Sequence, residues 1–122
     1  MALQFHQKLL TVGIVAGELS GDQLGAGLIQ AMKARYPQVR FVGIGGPAMI
    51  AAGCHSIFPL DRLSVMGLFA VLGRLRELLH IRGQLQSTFL EQKIDLFIGI
   101  DSPDFNLGLA AELKRHGIKT VH

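Results

Sequence analysis

Two short apolar runs, Leu10–Ala16 and Leu96–Ile100, each break off into a turn that carries carboxylates, and each turn opens a helical pattern. The second run, Leu96-Phe97-Ile98-Gly99-Ile100, contains no polar side chain at all. A strand buried on both faces reads this way, and such strands belong to parallel sheets covered by helices on either side. The pattern predicts an α/β chain: a doubly wound, Rossmann-like parallel sheet whose ligands meet the carboxyl ends of the strands.

The intervening residues keep the same alternation. A helix is expected over Asp22–Tyr36, with Asp22 or Ser20 as its cap and Pro37 closing it. A second strand follows over Val39–Ile44. A short helix covers Pro47–Ala52, stopped by Gly53. Ser56–Leu60 reads as a short strand or edge segment. A long helical run then extends from about Val65 to Gln92, with Gly73 and Gly83 as candidate bends. Asn106–His116 reads as helix, Gly117 as its terminator, and Ile118–Val121 as the start of another strand. Because the chain stops at His122 as that strand gets under way, a longer parent protein is expected.

Composition narrows the function classes. With 49% apolar and 17% charged residues the chain is no candidate for disorder. The net charge of +3 is modest, the basic residues do not cluster, and aromatics for base stacking are few, so nucleic acid is not the expected partner. Cys54 stands alone, which excludes an internal disulfide and any cysteine-based zinc site. No secretory signal is evident at the start, and no apolar stretch approaches the roughly 20 residues that cross a bilayer. A cytoplasmic, soluble or membrane-peripheral protein is expected.

The chemistry concentrates in the two turns, Gly17-Glu18-Leu19-Ser20-Gly21-Asp22 and Asp101-Ser102-Pro103-Asp104-Phe105-Asn106. In a doubly wound sheet the first strand and the strand after the crossover are neighbours, and their loops part to form the crevice. Glu18 and Asp22 are therefore expected to face Asp101 and Asp104, with mutual repulsion making one of them a general base. Bland alternatives stand beside each. Asp22 and Asp104 can be helix caps, Asp101 a turn-forming aspartate, and Glu18 a salt-bridged turn residue. Gly43-Ile44-Gly45-Gly46-Pro47-Ala48 fits a loose dinucleotide pattern, but it follows the second strand, and Pro47 removes an amide. It reads better as a turn with close backbone approach. His55, His80 and His116 are scattered, and Cys54 reads as a small buried hydrophobe.

Val65–Leu72 carries no polar side chain on any face, although a core-facing helix needs only a stripe. Arg74, Arg76, His80 and Arg82 follow, opposed by Glu77 alone. Apolar surplus beside a basic flank suits an anionic membrane surface, or burial against another part of a longer protein.

Taken together, Val15–Asp22, Leu24–Ile29, Arg40–Pro47, Val65-Met66-Gly67, Val71–Leu75 and Gly99–Asn106 resemble the lipid-A-disaccharide synthase family, over nearly everything from Val12 to His122. The resemblance implies the amino-terminal, acceptor-side domain of a two-domain (GT-B) glycosyltransferase. Its partners would be UDP-2,3-diacylglucosamine and 2,3-diacylglucosamine 1-phosphate (lipid X), joined as a β-1,6 disaccharide with release of UDP. Inversion at the donor's anomeric carbon, without metal or other cofactor, is implied as well. Asp101 matches the family's essential aspartate, carried over as general base, and Glu18 matches the glutamate of the first turn. Gly17, Ser20, Gly21, Asp22, Asp104 and Asn106 are carried over as substrate-binding. The donor site is expected mostly in the absent carboxyl-terminal half, so the chain alone is expected to be inactive. The resemblance favours a membrane-facing role for Phe69, Val71, Leu72, Leu75, Leu78 and Leu79 with Arg74 and Arg76. That places the protein peripherally on the inner face of the bacterial cytoplasmic membrane, and leaves a homo-oligomer open. The rivals are a nucleotide-binding Rossmann module of another enzyme and a non-catalytic interaction domain.

Overall fold

A computed structural model of the chain describes residues 9–63 and 74–122. Five strands form one parallel sheet: β1 (Thr11–Ala16), β2 (Arg40–Ile44), β3 (Cys54–Ser56), β4 (Leu96–Ile100) and β5 (Lys119–Val121). Their spatial order is β3-β2-β1-β4-β5, so the chain reverses direction across the sheet between β1 and β4. Val12 pairs with Phe41 on one side and with Leu96 on the other. Both flanking turns therefore leave the same end of the sheet side by side.

The helices are α1 (Leu19–Arg35), α2 (Pro47–Ala52), α3 (Leu75–Glu91) and α4 (Pro103–Arg115). Period-two alternation divides each central strand between two cores. Val12, Ile14 and Ala16 of β1 join Ile98 and Ile100 of β4 under α1 and α2, with Ile29 and Met49. Val15 and Phe97 face the other way, against Ile81, Leu85 and Phe89 of α3 and Leu109 and Leu113 of α4. Phe89 and Phe97 meet as tilted rings with centroids 5.8 Å apart. Gly13 makes that contact possible, because a Cβ there would press against Ile94 Cδ1 at 2.8 Å and the Phe89 ring at 3.0 Å.

Several expected boundaries shift for identifiable reasons. Helix α1 starts at Leu19 with Glu18 as N-cap, so Ser20 and Asp22 lie inside its first turn and neither caps it. The edge strand is Cys54–Ser56 rather than Ser56–Leu60. Ser56 Oγ donates to the Phe58 carbonyl at 2.6 Å, and Pro59 leads into a single 3-10 turn over Leu60–Arg62. Within the long helical run, α3 begins at Leu75, and the residues from Ser64 to Gly73 lie outside the described part. Helix α4 begins at Pro103, three residues earlier than expected, because proline is preorganised for a first helical position. Gly53 does stop α2, at φ +116°.

Asp22 has a different task from capping its own helix. It is 2% exposed, and its carboxylate reaches across to the start of α2. Oδ1 accepts from the amides of Gly46 (2.8 Å) and Met49 (2.9 Å), and Oδ2 from that of Ala48 (2.9 Å). The free donors of one helix are thus satisfied by a side chain of another. Asp22→Ala strands all three amides in the interior and should cost about 3 kcal/mol of unfolding free energy. Asp22→Asn, with one acceptor oxygen left, should cost less. Urea unfolding checks this, and an alanine variant within about 0.5 kcal/mol of the parent would contradict the assignment.

Candidate functional site: the crevice between the first and fourth strands

Asp101 follows the last residue of β4 and adopts φ +52°, a left-handed conformation uncommon outside glycine. Ser102 follows at φ +41°. This double left-handed step turns the Asp101 carboxylate sideways, toward the neighbouring strand end. Oδ1 accepts the Gly17 amide at 2.7 Å, and Oδ2 accepts the Glu18 amide at 3.2 Å. Asp101 is therefore no local turn-former: its side chain bonds to residues more than eighty positions away. Each oxygen keeps a lone pair, and the residue is half-buried at the mouth of the crevice.

Glycines make this approach possible. A Cβ at Gly21 would overlap Asp101 Oδ2. A Cβ at Gly17 would overlap the Ser102 hydroxyl and lie 3.0 Å from Asp101 Oδ1. Asn106, 1% exposed, braces the turn from beneath. Its amide nitrogen lies 2.9 Å from the Asp101 carbonyl, 3.3 Å from that of Ile100 and 3.4 Å from that of Val15, joining the ends of β1 and β4.

The expected convergence of four carboxylates is not what forms. Asp22 turns away to α2, its two oxygens taken up by three amides. Asp104 is exposed in the first turn of α4, where it makes no cap bond; the N-cap is Ser102. Glu18 is exposed and makes no ion pair among the described residues, so the salt-bridged alternative does not arise. Ser20 is likewise exposed on the first turn of α1. Gly17, Glu18, Gly21, Asp101 and Ser102 are what the fold brings together. Asn106 is a buried brace rather than a surface contact, and Asp22 is committed to the interior. Ser102 was hidden in the sequence because a serine ahead of proline at a helix start reads as an ordinary cap.

An apolar cleft of about 720 Å³ lies on the β2 and β3 side of the domain. Leu19, next in sequence to Glu18, lines it together with Ile50, Ile57, Phe58 and Leu60. Gly45 and Gly46 line it too, and Gly46 allows the close approach of Asp22, whose Oδ2 would lie 2.7 Å from a Cβ there. The loose dinucleotide pattern is thereby accounted for: the protein's own carboxylate occupies the helix start where a phosphate would sit.

Cys54 is buried, and desolvation, with a smaller contribution from the charge of Asp22, pushes its thiol up to about 11, outweighing Lys33. It stays a neutral hydrophobe. On α3, Leu78 packs against the core, whereas Leu75 and Leu79 are 51% and 48% exposed. Arg74 bonds to the Arg62 carbonyl and pairs with Glu77 at 3.3 Å. Arg62 holds the same Glu77 at 2.5 Å, and that hydrogen bond first, then the nearby positive charges, lower the glutamate's pKa. Phe69, Val71 and Leu72 lie outside the described residues. Among those described, no three His, Cys, Asp or Glu side chains come together as a metal site, and no helix is long and apolar enough to cross a membrane.

A parallel α/β sheet with a carboxylate site at its topological switch point defines a Rossmann-like domain of the kind from which GT-B glycosyltransferases are built. The family model for lipid-A-disaccharide synthetase matches residues 12–122. The chain is 58% identical over 116 residues to the lipid-A-disaccharide synthases of Salmonella newport, Salmonella agona and Salmonella gallinarum, covering 95% of this chain. It belongs to the lipid-A-disaccharide synthase family, and it spans 30% of the length of these relatives.

The Asp101 clamp is directly testable. Gly21→Ala should strike Oδ2 and so push the whole carboxylate off both the Glu18 and the Gly17 amides. The expected signs are a large shift of the Gly17 amide resonance and loss of its hydrogen-exchange protection, with the core amides of β4 unaffected. An unchanged Gly17 amide would mean that Asp101 is not held as described.

Proposed function

We propose that this chain is the acceptor side of an inverting glycosyltransferase of lipid A synthesis. The full-length protein would join UDP-2,3-diacylglucosamine to 2,3-diacylglucosamine 1-phosphate through a β-1,6 bond and release UDP. Asp101 carries the reading: it is a carboxylate fixed in direction by two backbone amides, with lone pairs free at the mouth of the crevice. Such a group can take the proton from the acceptor's 6-hydroxyl as that oxygen attacks the donor's anomeric carbon from the face opposite UDP. Pinning the carboxylate beforehand spares reorganisation at the moment of transfer. Glu18, exposed beside it and without an ion pair among the described residues, serves as a positioning group for sugar hydroxyls. The donor pocket belongs to the remaining length of the protein. A lipid substrate also fits the surroundings, since Leu19, the residue after Glu18, lines an apolar cleft.

In the full-length protein, Asp101→Asn keeps the shape and an oxygen for the Gly17 amide but lacks a basic carboxylate. Turnover should fall by at least about 100-fold, the usual scale for loss of a general base, with the unfolding midpoint little changed. Turnover within about threefold of the parent would remove Asp101 from the mechanism, because even the weaker general bases contribute more.

Peripheral membrane binding on the cytoplasmic side is part of the same proposal, narrowed by the structure. Leu75 and Leu79 lie one turn apart and are solvent-exposed, with Arg76 exposed between them, whereas Leu78 serves the core. The double variant Leu75→Ser, Leu79→Ser should lose sedimentation with anionic phospholipid vesicles while keeping its stability. Undiminished sedimentation would rule this face out.

A further inference from the structure

Ser102 is the N-cap of α4, followed by Pro103. A serine in that place normally holds an extended backbone and turns its hydroxyl back onto the second or third helical amide. Here φ is 41° and ψ 57°, and no side-chain cap bond forms. The carbonyl of Ser102 closes the first helical bond, accepting the Asn106 amide at 3.0 Å. Its hydroxyl stands on the other side, over Gly17, in space that a side chain at position 17 would fill. No described residue takes or gives a hydrogen bond there. A left-handed backbone explains glycine or asparagine at position 102, but not serine. Strain of this sort persists where the surroundings enforce it, commonly at functional sites. The hydroxyl of this half-buried serine, without a hydrogen-bond partner among the described residues and next in sequence to the clamped carboxylate, is the feature that distinguishes the residue.

We propose that Ser102 is a specificity-determining residue that binds the 4-hydroxyl of the acceptor sugar. The proposal rests on the reading of Asp101 as the base for the 6-hydroxyl. An acceptor acylated at positions 2 and 3 and phosphorylated at position 1 has only two free hydroxyls, at positions 4 and 6. They are near neighbours on the ring and its exocyclic carbon. Asp101 and Ser102 offer a matching pair at the mouth of the crevice, with a proton acceptor for one hydroxyl and a donor–acceptor group for the other. The contact also reads configuration, because an equatorial 4-hydroxyl and its axial epimer point in different directions. A hydrogen bond between neutral groups discriminates by about tenfold.

The test uses the full-length enzyme, the acceptor and its 4-deoxy analogue, and the variants Ser102→Ala, Ser102→Gly and Asp101→Asn. The parent should prefer the natural acceptor by about tenfold in kcat/KM. Both Ser102 variants should bring that ratio close to one and leave the donor KM unchanged. Glycine accepts the left-handed backbone without strain, so Ser102→Gly should unfold no earlier than the parent, which separates loss of the hydroxyl from damage to the turn. Full discrimination in both Ser102 variants, or none in the parent, overturns the proposal. If Asp101→Asn is inactive while the Ser102 variants still discriminate, only the role of Ser102 fails. If Asp101→Asn remains active, the reading of the base fails and takes this proposal with it.

Discussion

The carboxyl end of this sheet is held by carboxylates that accept hydrogen bonds from backbone amides of distant segments. Asp22 gathers three amides at the start of α2, and Asp101 gathers two at the turn after β1. Charged acceptors make stronger hydrogen bonds than neutral ones, and buried amides without partners are costly, so these contacts fix where the loops run. They also dictate the glycines. Gly46 leaves room for Asp22, and Gly17 and Gly21 leave room for Asp101 and Ser102. The acidic, glycine-rich first turn is one consequence of that arrangement.

It also separates this domain from dinucleotide-binding relatives of the same topology. In those folds, amides at a helix start and in a glycine turn are left open for pyrophosphate. Here the amides at the start of α2 already have an anion, supplied by α1. The amides of Gly17 and Glu18 have another, supplied by the turn after β4. These amides, already bonded to the protein's own carboxylates, are not left open for a pyrophosphate.

The sheet was legible because its signals are local. A fully apolar β4 can only be a two-sided strand, and the stop at Gly53 follows from its left-handed backbone. The site was half legible. The sequence pointed to the two turns and to Asp101, but spacing alone suggested that all four carboxylates would converge. Asp22 escapes that expectation because its partners lie 24 to 27 residues onward, beyond any helical periodicity. Asn106 looked like a ligand residue because nothing local announces that a side chain will brace two strand ends. Leu75, Leu78 and Leu79 were grouped together as membrane-facing, yet Leu78 packs against the core while Leu75 and Leu79 are exposed. Ser102 shows the reverse difficulty, since its sequence context points to a cap and only its backbone angles reveal that it is not one.

Asp22 and Asp101 also show why two aspartates in similar turns serve different ends. Asp22 sits one helical turn inside α1, where its neighbours bury it to 2% exposure and three donors claim its oxygens. Such a carboxylate contributes order and has little capacity left for a ligand. Asp101 lies at the strand end, where two donors fix its direction but leave it half-exposed with a lone pair on each oxygen. The proposed role of proton acceptor would need both properties, since a freely rotating carboxylate would lose orientation and a fully bonded one would lose reactivity. The left-handed backbone at Asp101 and Ser102 reconciles them: it turns the side chain away from its own helix start and across to β1. That conformational cost is borne by the cores beneath, through Asn106 and the two packed faces of the sheet.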